Sequence, residues 1–144
     1  MKKRILIALT AIVVGATPGM VGAGVEGPCG GGLESDPDND TVPSCIDNCL
    51  IVPNGHLDAN NQCDTDGDGY GNSCDFDVNQ DNIVGLPDFG SFTANFGKSG
   101  HPINAADANC DGIIGLPDWG VFTKTFGGSV GPSGHSCAGT VPCP

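Results

Sequence analysis

The chain has 144 residues, of which 38% are apolar, 6% aromatic and 15% charged, and it contains 24 glycines and 11 prolines. A composition so rich in glycine and proline excludes long helices and a large hydrophobic core. Seventeen acidic residues against five basic ones give a net charge of −12. Because a surface of this sign repels phosphate groups, we expect no nucleic-acid partner.

The first 23 residues have the pattern of a secretory signal peptide. Three basic residues precede an apolar run at 5–14, and small residues ending at Ala23 offer a cleavage point. The alternative is a membrane anchor, but about ten apolar residues fall short of the roughly 20 that a spanning helix needs. Cleavage removes three of the five basic residues and leaves a net charge of −15. We therefore expect a secreted or cell-surface protein that does not enter a membrane.

An even number of cysteines indicates disulfide bonds in an exported protein. The eight are Cys29, Cys45, Cys49, Cys63, Cys74, Cys110, Cys137 and Cys143. A zinc site is the alternative, because the spacing of Cys45 and Cys49 approaches that of paired zinc ligands and His56 could add a third. An oxidising compartment favours disulfides, but the spacing alone leaves their connectivity open.

The segment 107–118 matches the EF-hand calcium loop. In that loop, side-chain oxygens at positions 1, 3, 5 and 12 and the backbone carbonyl at position 7 surround the ion, and position 6 is a glycine at a sharp turn. Oxygens are needed at every second position because alternate side chains can converge on one point. The residues at the five ligand positions are Asp107, Asn109, Asp111, Ile113 (through its carbonyl) and Asp118. Gly112 occupies the turn.

Three further segments match the same template, at 36–47, 64–75 and 77–88. The predicted ligands are Asp36, Asp38, Asp40, Val42 (carbonyl) and Asp47; Asp64, Asp66, Asp68, Tyr70 (carbonyl) and Asp75; and Asp77, Asn79, Asp81, Ile83 (carbonyl) and Asp88. The turn position holds Gly69 in 64–75, but Asn82 in 77–88 and Thr41 in 36–47. The four segments are referred to below as the acidic loops.

The acidic loops contain every aspartate of the chain except Asp58. The alternative to metal binding is a set of solvated, flexible loops rich in aspartate and glycine. Four matches in register favour metal binding, and carboxylates this close repel one another unless a cation binds between them. We therefore expect about four calcium ions.

Residues 77–127 contain an internal duplication with an offset of 30 positions. After each acidic loop, aromatic residues at steps of three and four predict one face of a short helix. The two trios are Phe89, Phe92 and Phe96, and Trp119, Phe122 and Phe126. Pro87 and Pro117 suit the first turn of a helix, and Gly97 and Gly127 suit its end. We expect the helices to bury their aromatic faces against each other, with Trp119 in the core.

Two stretches resemble known families. Residues 36–75 resemble thrombospondin type-3 repeats, through the motifs DNC at 47–49, VPN at 52–54, NNQ at 60–62 and DTDGDGYGNSCD at 64–75. The duplicated residues 77–127 resemble a type I dockerin module. The first resemblance implies a disulfide between Cys49 and Cys74, and Cys45 would then pair with Cys63. We expect Cys110, which is unusual at loop position 4, to pair with Cys137 or Cys143.

The dockerin resemblance implies docking onto a cohesin, often in assemblies that degrade plant polysaccharides. This chain departs from the family at loop positions 10 and 11, where small polar or hydroxyl residues are usual. It has Leu86 and Pro87 in the first loop and Leu116 and Pro117 in the second. The predicted helices also contain a single basic residue, Lys124, where the family usually has several.

These observations predict a small, loop-rich, mainly irregular and disulfide-stapled fold with short α-helices. It would combine a thrombospondin type-3-like calcium-wrapped coil with a dockerin-like pair of loop-helix motifs. The expected order is a signal peptide (1–23), a flexible glycine-rich lead-in (24–35), the thrombospondin-like repeats (36–75), the dockerin-like pair (76–127) and a tail rich in glycine, proline and cysteine (128–144).

Catalysis is not expected, because enzymes need a positioned acid, base or nucleophile in a cleft. Nearly every carboxylate belongs to an acidic loop, and the two glutamates, Glu26 and Glu34, lie in the lead-in. We expect a secreted calcium-binding protein whose ions organise an extracellular module that docks onto a cohesin-like or cell-surface protein. The alternatives are a structural or adhesive spacer stiffened by calcium, and an accessory part of a polysaccharide-degrading assembly.

Overall fold

The computed structural model describes residues 29, 35–55, 61–99 and 105–144. The predicted signal peptide and most of the lead-in lie outside these residues. The described residues form two α-helices, α1 (Leu86–Asn95) and α2 (Leu116–Thr125), and are otherwise turns, bends and two isolated bridges. Neither helix combines the length and apolar character needed to cross a membrane. The prediction of a small, loop-rich fold with short helices is confirmed.

Each helix begins and ends as the sequence predicts. A proline lies in the first turn of both helices, where its missing N–H is not needed. The first turns are closed by Asp88 and Asp118, which accept the N–H of Gly85 and Gly115 at 2.7 Å. After each helix the chain turns through a glycine with positive φ, +78° at Gly97 and +80° at Gly127.

The hydrophobic core lies between the two loop-helix units. Its members are Phe76, Val84, Phe92, Ala106, Ala108, Ile114 and Phe122. Phe76 is fully buried, with its ring centroid 5.7 Å from that of Phe92 and 5.2 Å from that of Phe122. This residue stands outside both predicted aromatic trios, so its central place was not foreseen.

The aromatic faces of the helices are only partly buried, contrary to our expectation. Trp119, which we placed in the core, is 37% exposed and stacks on Phe122 at 5.2 Å. Phe96 and Phe126 are also exposed. Because Phe76 packs against both middle rings, the outer rings of each trio lie at the rim of the core.

The two loop-helix units are joined crosswise. Ile83, in the first loop, forms an antiparallel bridge with Ser129, which follows α2. Ile113, in the second loop, forms the equivalent bridge with Ser99, which follows α1. Each duplicated acidic loop is therefore held by the chain that leaves the other helix.

All eight cysteines are paired. The disulfides are Cys29–Cys45, Cys49–Cys74, Cys63–Cys110 and Cys137–Cys143. The prediction of Cys49 with Cys74 is confirmed. The expected pairing of Cys45 with Cys63 is wrong, and so is that of Cys110 with Cys137 or Cys143. The reason is tertiary: the fold brings the Cα atoms of Cys63 and Cys110 to 6.5 Å, although 47 positions separate them in sequence.

The C-terminal segment 128–144 packs against residues 36–75. Its backbone N–H groups at Gly134, Gly139 and Cys143 donate to the carbonyls of Asp47, Asp68 and Gly67 at 2.7–2.8 Å. In return, the N–H of Leu50 donates to the carbonyl of Pro132 at 2.9 Å. The segment thus lies along two of the acidic loops.

Candidate metal centres

All four acidic loops share two hydrogen bonds. In each, the aspartate at position 1 accepts the backbone N–H of position 6, and the aspartate at position 5 accepts the N–H of position 7. The first bond joins Asp36 to Thr41 (3.0 Å), Asp64 to Gly69 (2.9 Å), Asp77 to Asn82, and Asp107 to Gly112 (3.1 Å). The second joins Asp40 to Val42, Asp68 to Tyr70, Asp81 to Ile83, and Asp111 to Ile113 at 2.8–3.0 Å. These bonds fix the carboxylates at positions 1 and 5 of every loop.

The turn at position 6 has the same backbone conformation in all four loops. Its φ is +90° at Gly69 and +88° at Gly112, where glycine carries no steric cost. Asn82 and Thr41 adopt similar values of +67° and +74°. Asn82 and Thr41 therefore form the same turn as glycine does. The conformational free energy needed for positive φ is small for asparagine and larger for threonine.

The two duplicated loops agree at the remaining ligand positions as well. At position 3, Asn79 and Asn109 accept the N–H of Asp81 and Asp111 at 3.0 and 3.1 Å. At position 12, one oxygen of Asp88 accepts the N–H of Asn79 at 3.2 Å, and Asp118 does the same for Asn109. The position-12 carboxylates are fully buried. Each one connects the loop to the first turn of its helix.

Two acidic loops also bring their first three aspartates together. In 36–47 and 64–75, carboxylate oxygens from positions 1, 3 and 5 lie within 4.8 Å of one another. The position-12 residues of these loops are Asp47, which is fully buried, and Asp75, which is 1% exposed. Gln62 donates to Asp47 at 2.9 Å, and the N–H of Asp77 donates to Asp75 at 2.7 Å.

Four buried carboxylate oxygens among the described residues have no hydrogen-bond partner. They are Asp38 Oδ2, Asp47 Oδ2, Asp66 Oδ1 and Asp107 Oδ1, and all belong to predicted metal ligands. A buried charged oxygen without a partner costs free energy that a bound cation would offset. The acidic loops 36–47, 64–75 and 107–118 each contain at least one such oxygen, so their donor sets fit a cation.

Burial and mutual repulsion raise the pKa of several of these carboxyl groups. Burial is the main cause for Asp75, whose pKa rises to about 8, and neighbouring carboxylates add to it. The pKa of Asp66 rises to about 6, first through burial and then through Asp68. Burial also raises the pKa of Asp38, Asp68 and Asp107. Asp75 would therefore carry a proton at neutral pH unless a cation binds beside it, and a cation would lower the pKa of each of the other groups.

The alternative of a zinc site is wrong for Cys45 and Cys49, because both sulfurs are in disulfides. His56 lies outside the described residues. His135 comes near Cys137 and Cys143, but those two sulfurs are also bonded to each other. This group therefore offers a metal one nitrogen and no thiolate.

A network of side-chain amides supports the acidic loop 36–47, and the sequence analysis assigned these residues no role. Gln62 donates to Asn54 at 2.6 Å and accepts the N–H of Asn48 at 2.7 Å. The N–H of Asn54 donates to Asp40 at 2.9 Å. The signal was present in the motifs DNC, VPN and NNQ, which contain these amides, but their partners are far apart in sequence.

The comparisons with known proteins give one match. No protein-family model matches the chain. No curated protein matches it either. Among solved structures, a type II cohesin-dockerin domain from Bacteroides cellolosolvens has 30% sequence identity, and the match covers 37% of this chain and 83% of that one. The thrombospondin type-3 resemblance of residues 36–75 has no counterpart among these matches. Because its TM-score is only 0.33, the proposals below depend on the residues of this chain.

Proposed function

We propose that the protein is a secreted, non-catalytic calcium-binding protein whose ions organise a protein-docking surface. The observation that carries the proposal is the shared geometry of the four acidic loops. Each turns its position-1 and position-5 carboxylates inward with the same hydrogen bonds, and three of them bury carboxylate oxygens that lack a partner. Four disulfides fit the oxidising compartment that secretion implies.

Calcium is favoured over other cations by the donor types. The predicted side-chain ligands are carboxylates and two amides, which are hard oxygen donors. Magnesium keeps several water molecules and takes one or two carboxylates, whereas each of these loops presents three or four. Four calcium ions would also neutralise about half of the negative charge that the processed chain carries.

The docking surface that we propose lies on the helix pair, beside the duplicated loops. Leu86 and Leu116, at position 10 of these loops, are 71% and 74% exposed. Leu86 lies at the edge of an apolar groove of about 310 Å³ that is also lined by Phe89, Trp119, Phe122, Thr123 and Phe126. Exposed apolar patches of this kind mark interaction sites. Because the buried position-12 carboxylates close the first turn of each helix, ion binding would fix the orientation of this surface.

A cohesin-like domain is the partner that the dockerin resemblance implies, and a cell-surface protein is the other candidate. An accessory role in a polysaccharide-degrading assembly would follow from the first. The alternative role as a calcium-stiffened spacer requires a chain that can extend. The disulfide Cys63–Cys110 and the packing of 128–144 against 36–75 favour a compact docking module instead.

Calcium titration by calorimetry tests the ion-binding part of the proposal. We expect the oxidised protein to take up about four ions, and Asp107→Ala to take up one fewer, because Asp107 is a position-1 ligand with an unpartnered oxygen. Asp58→Ala is the matched control, since Asp58 is the single aspartate outside the acidic loops. An absence of calcium uptake by the unmodified protein would overturn the proposal.

A pull-down from secreted proteins tests the docking part. We expect a partner that is retained with calcium, released by a chelator and lost with Leu86→Ser plus Leu116→Ser. Ile51→Ser is the control, because Ile51 is 62% exposed but lies outside the helix pair. Retention that is indifferent to calcium, or loss with the Ile51 variant alone, would argue against the assigned surface.

A further inference from the structure

Asn72 connects two acidic loops that are distant in sequence. It belongs to loop 64–75 and is 1% exposed. Its Nδ2 donates to the carbonyl oxygen of Asp107 at 2.9 Å, across 35 positions of the chain. Its Oδ1 accepts the N–H of Thr65, the second residue of its own loop, also at 2.9 Å. One buried amide therefore spans from the start of loop 64–75 to the start of loop 107–118.

A covalent link runs beside this hydrogen bond. The disulfide Cys63–Cys110 joins the residue just before loop 64–75 to position 4 of loop 107–118. The N–H of Asn72 donates to the carbonyl oxygen of Cys63 at 2.8 Å. The N–H of Cys110 in turn donates to the carbonyl oxygen of Asp107 at 3.2 Å. The same carbonyl thus receives a hydrogen bond from each of the two loops.

Asp107, whose carbonyl oxygen accepts the hydrogen bond from Asn72, is itself a predicted metal ligand. The side chain of Asp107 holds the turn of its loop through Gly112 and buries one oxygen that has no partner. Because Asn72 bonds both to its own loop and to the backbone of Asp107, order in loop 64–75 would restrict Asp107 as well. An ion bound in one loop would then lower the entropy cost of binding in the other, which is positive coupling between two sites.

We propose that the acidic loops 64–75 and 107–118 bind cations as a coupled pair, with Asn72 as the positioning residue that transmits the coupling. The inference rests on the proposed calcium binding. It goes beyond that proposal because independent loops would satisfy the ion count equally well. It also assigns a role to Cys110, whose place in the second loop has no counterpart in the first, where Gln80 stands.

The chain contains a reporter for one of the two loops. Tyr70 is its single tyrosine and occupies position 7 of loop 64–75. In a Trp119→Phe background no tryptophan remains, so terbium(III) luminescence excited through Tyr70 follows occupancy near that loop. Loop 107–118 is weakened separately by Asp111→Ala, which removes the exposed position-5 carboxylate and leaves Asn72 untouched.

The test is a double-mutant cycle in this background, with terbium(III) as the probe. With Asn72 present, we expect Asp111→Ala to raise the apparent Kd reported by Tyr70 by about 5-fold or more. With Asn72→Ala, the same change should raise it less than about 2-fold. Asn95→Ala is the matched control, because that amide bonds within α1 to the carbonyl oxygen of Ser91, and it should preserve the full effect.

Equal effects of Asp111→Ala in both backgrounds would overturn the coupling. If Asn72→Ala does not fold, Asn72→Ser replaces it, because the shorter hydroxyl cannot reach both Thr65 and Asp107, and the same two outcomes apply. Failure of the underlying calcium proposal is distinguishable, since the unmodified protein would then take up no ion in calorimetry. If the protein takes up the full number of ions but shows no coupling, the proposal of calcium binding stands and the proposal of coupling is wrong.

Discussion

Residues 36–75 and residues 77–127 hold the same kind of acidic loop by different means. In the first region the described residues form no helix or strand, and their buried apolar residues are Cys49 and Cys74, which are bonded to each other. Support comes from buried amides such as Asn54, whose N–H donates to Asp40 at 2.9 Å. In the second region each loop leads into a helix and packs beside the core around Phe76. The conformation of an acidic loop is therefore set by its own residues, whereas the contacts that stabilise its position come from the rest of the fold.

Removal of calcium should have the largest effect, and residues 36–75 should lose more of their structure than residues 77–127. We expect a chelator to remove hydrogen-exchange protection from 36–75 first, because carboxylate repulsion there is opposed by disulfides and polar contacts, and no residue of the hydrophobic core lies in that region. Residues 77–127 should keep part of their protection through the aromatic core. Hydrogen exchange followed by mass spectrometry, with and without calcium, measures this. Uniform loss across both regions would show that the core gives no independent support.

The pH dependence of stability should reverse when calcium is removed. The pKa of Asp75, about 8, lies above the ordinary aspartate value of 3.8, so the calcium-free folded state binds more protons than the unfolded state between these values. Its free energy of unfolding should therefore fall as the pH rises from about 5 to about 8. With calcium bound, protons compete with the ion, and stability should rise over the same window.

Urea denaturation at several pH values, with calcium or with chelator, checks this reversal. The effect should centre on loop 64–75, which contains both Asp66 and Asp75. The variant Asp75→Asn removes the group with the larger shift and should flatten the calcium-free profile. A calcium-free profile that rises with pH in the unmodified protein would contradict the assigned pKa directions.

Replacement of the central aromatic ring should cost much more stability than replacement of a ring at the rim of the core. Phe76→Ala removes a fully buried ring that contacts Phe92 and Phe122, and we expect it to lower the free energy of unfolding by about 3 to 5 kcal/mol. Phe96→Ala is the matched control, since that ring is 49% exposed, and it should cost no more than about 1 kcal/mol. Urea denaturation with saturating calcium measures both. A similar cost for the two variants would contradict the central place of Phe76.

The sequence was sufficient where structure is set by neighbouring residues. Spacing predicted the four acidic loops, the two helices and their ends, because each depends on residues within about one loop or helix length. It failed where partners are distant. Nothing near Phe76 indicated that its ring would enter the core of the helix pair. The position of Cys110 was recognised as unusual, but its pairing with Cys63 depends on how two loops meet in space.

The two duplicated loops differ at the turn in position 6, which is Asn82 in the first loop and Gly112 in the second. Asn82 and Gly112 hold the same turn with φ of +67° and +88°, and a Cβ at Gly112 would meet nothing within 4 Å. The difference between the two turns is therefore one of backbone preference and not of space. Asn82→Gly should strengthen ion binding by loop 77–88, and Gly112→Asn should weaken it in loop 107–118, each by no more than about 1 kcal/mol.

Calorimetric calcium titration of the two single variants and of their combination measures these small effects. Because the exchange places each residue in the other loop, the combined variant should invert the order of affinity that the turns impose. If Gly112→Asn also lowers the affinity that Tyr70 reports for loop 64–75, the loss has passed through Asp107 and Asn72. An unchanged Tyr70 signal would show that the residue at the turn affects ion affinity in its own loop and not in loop 64–75.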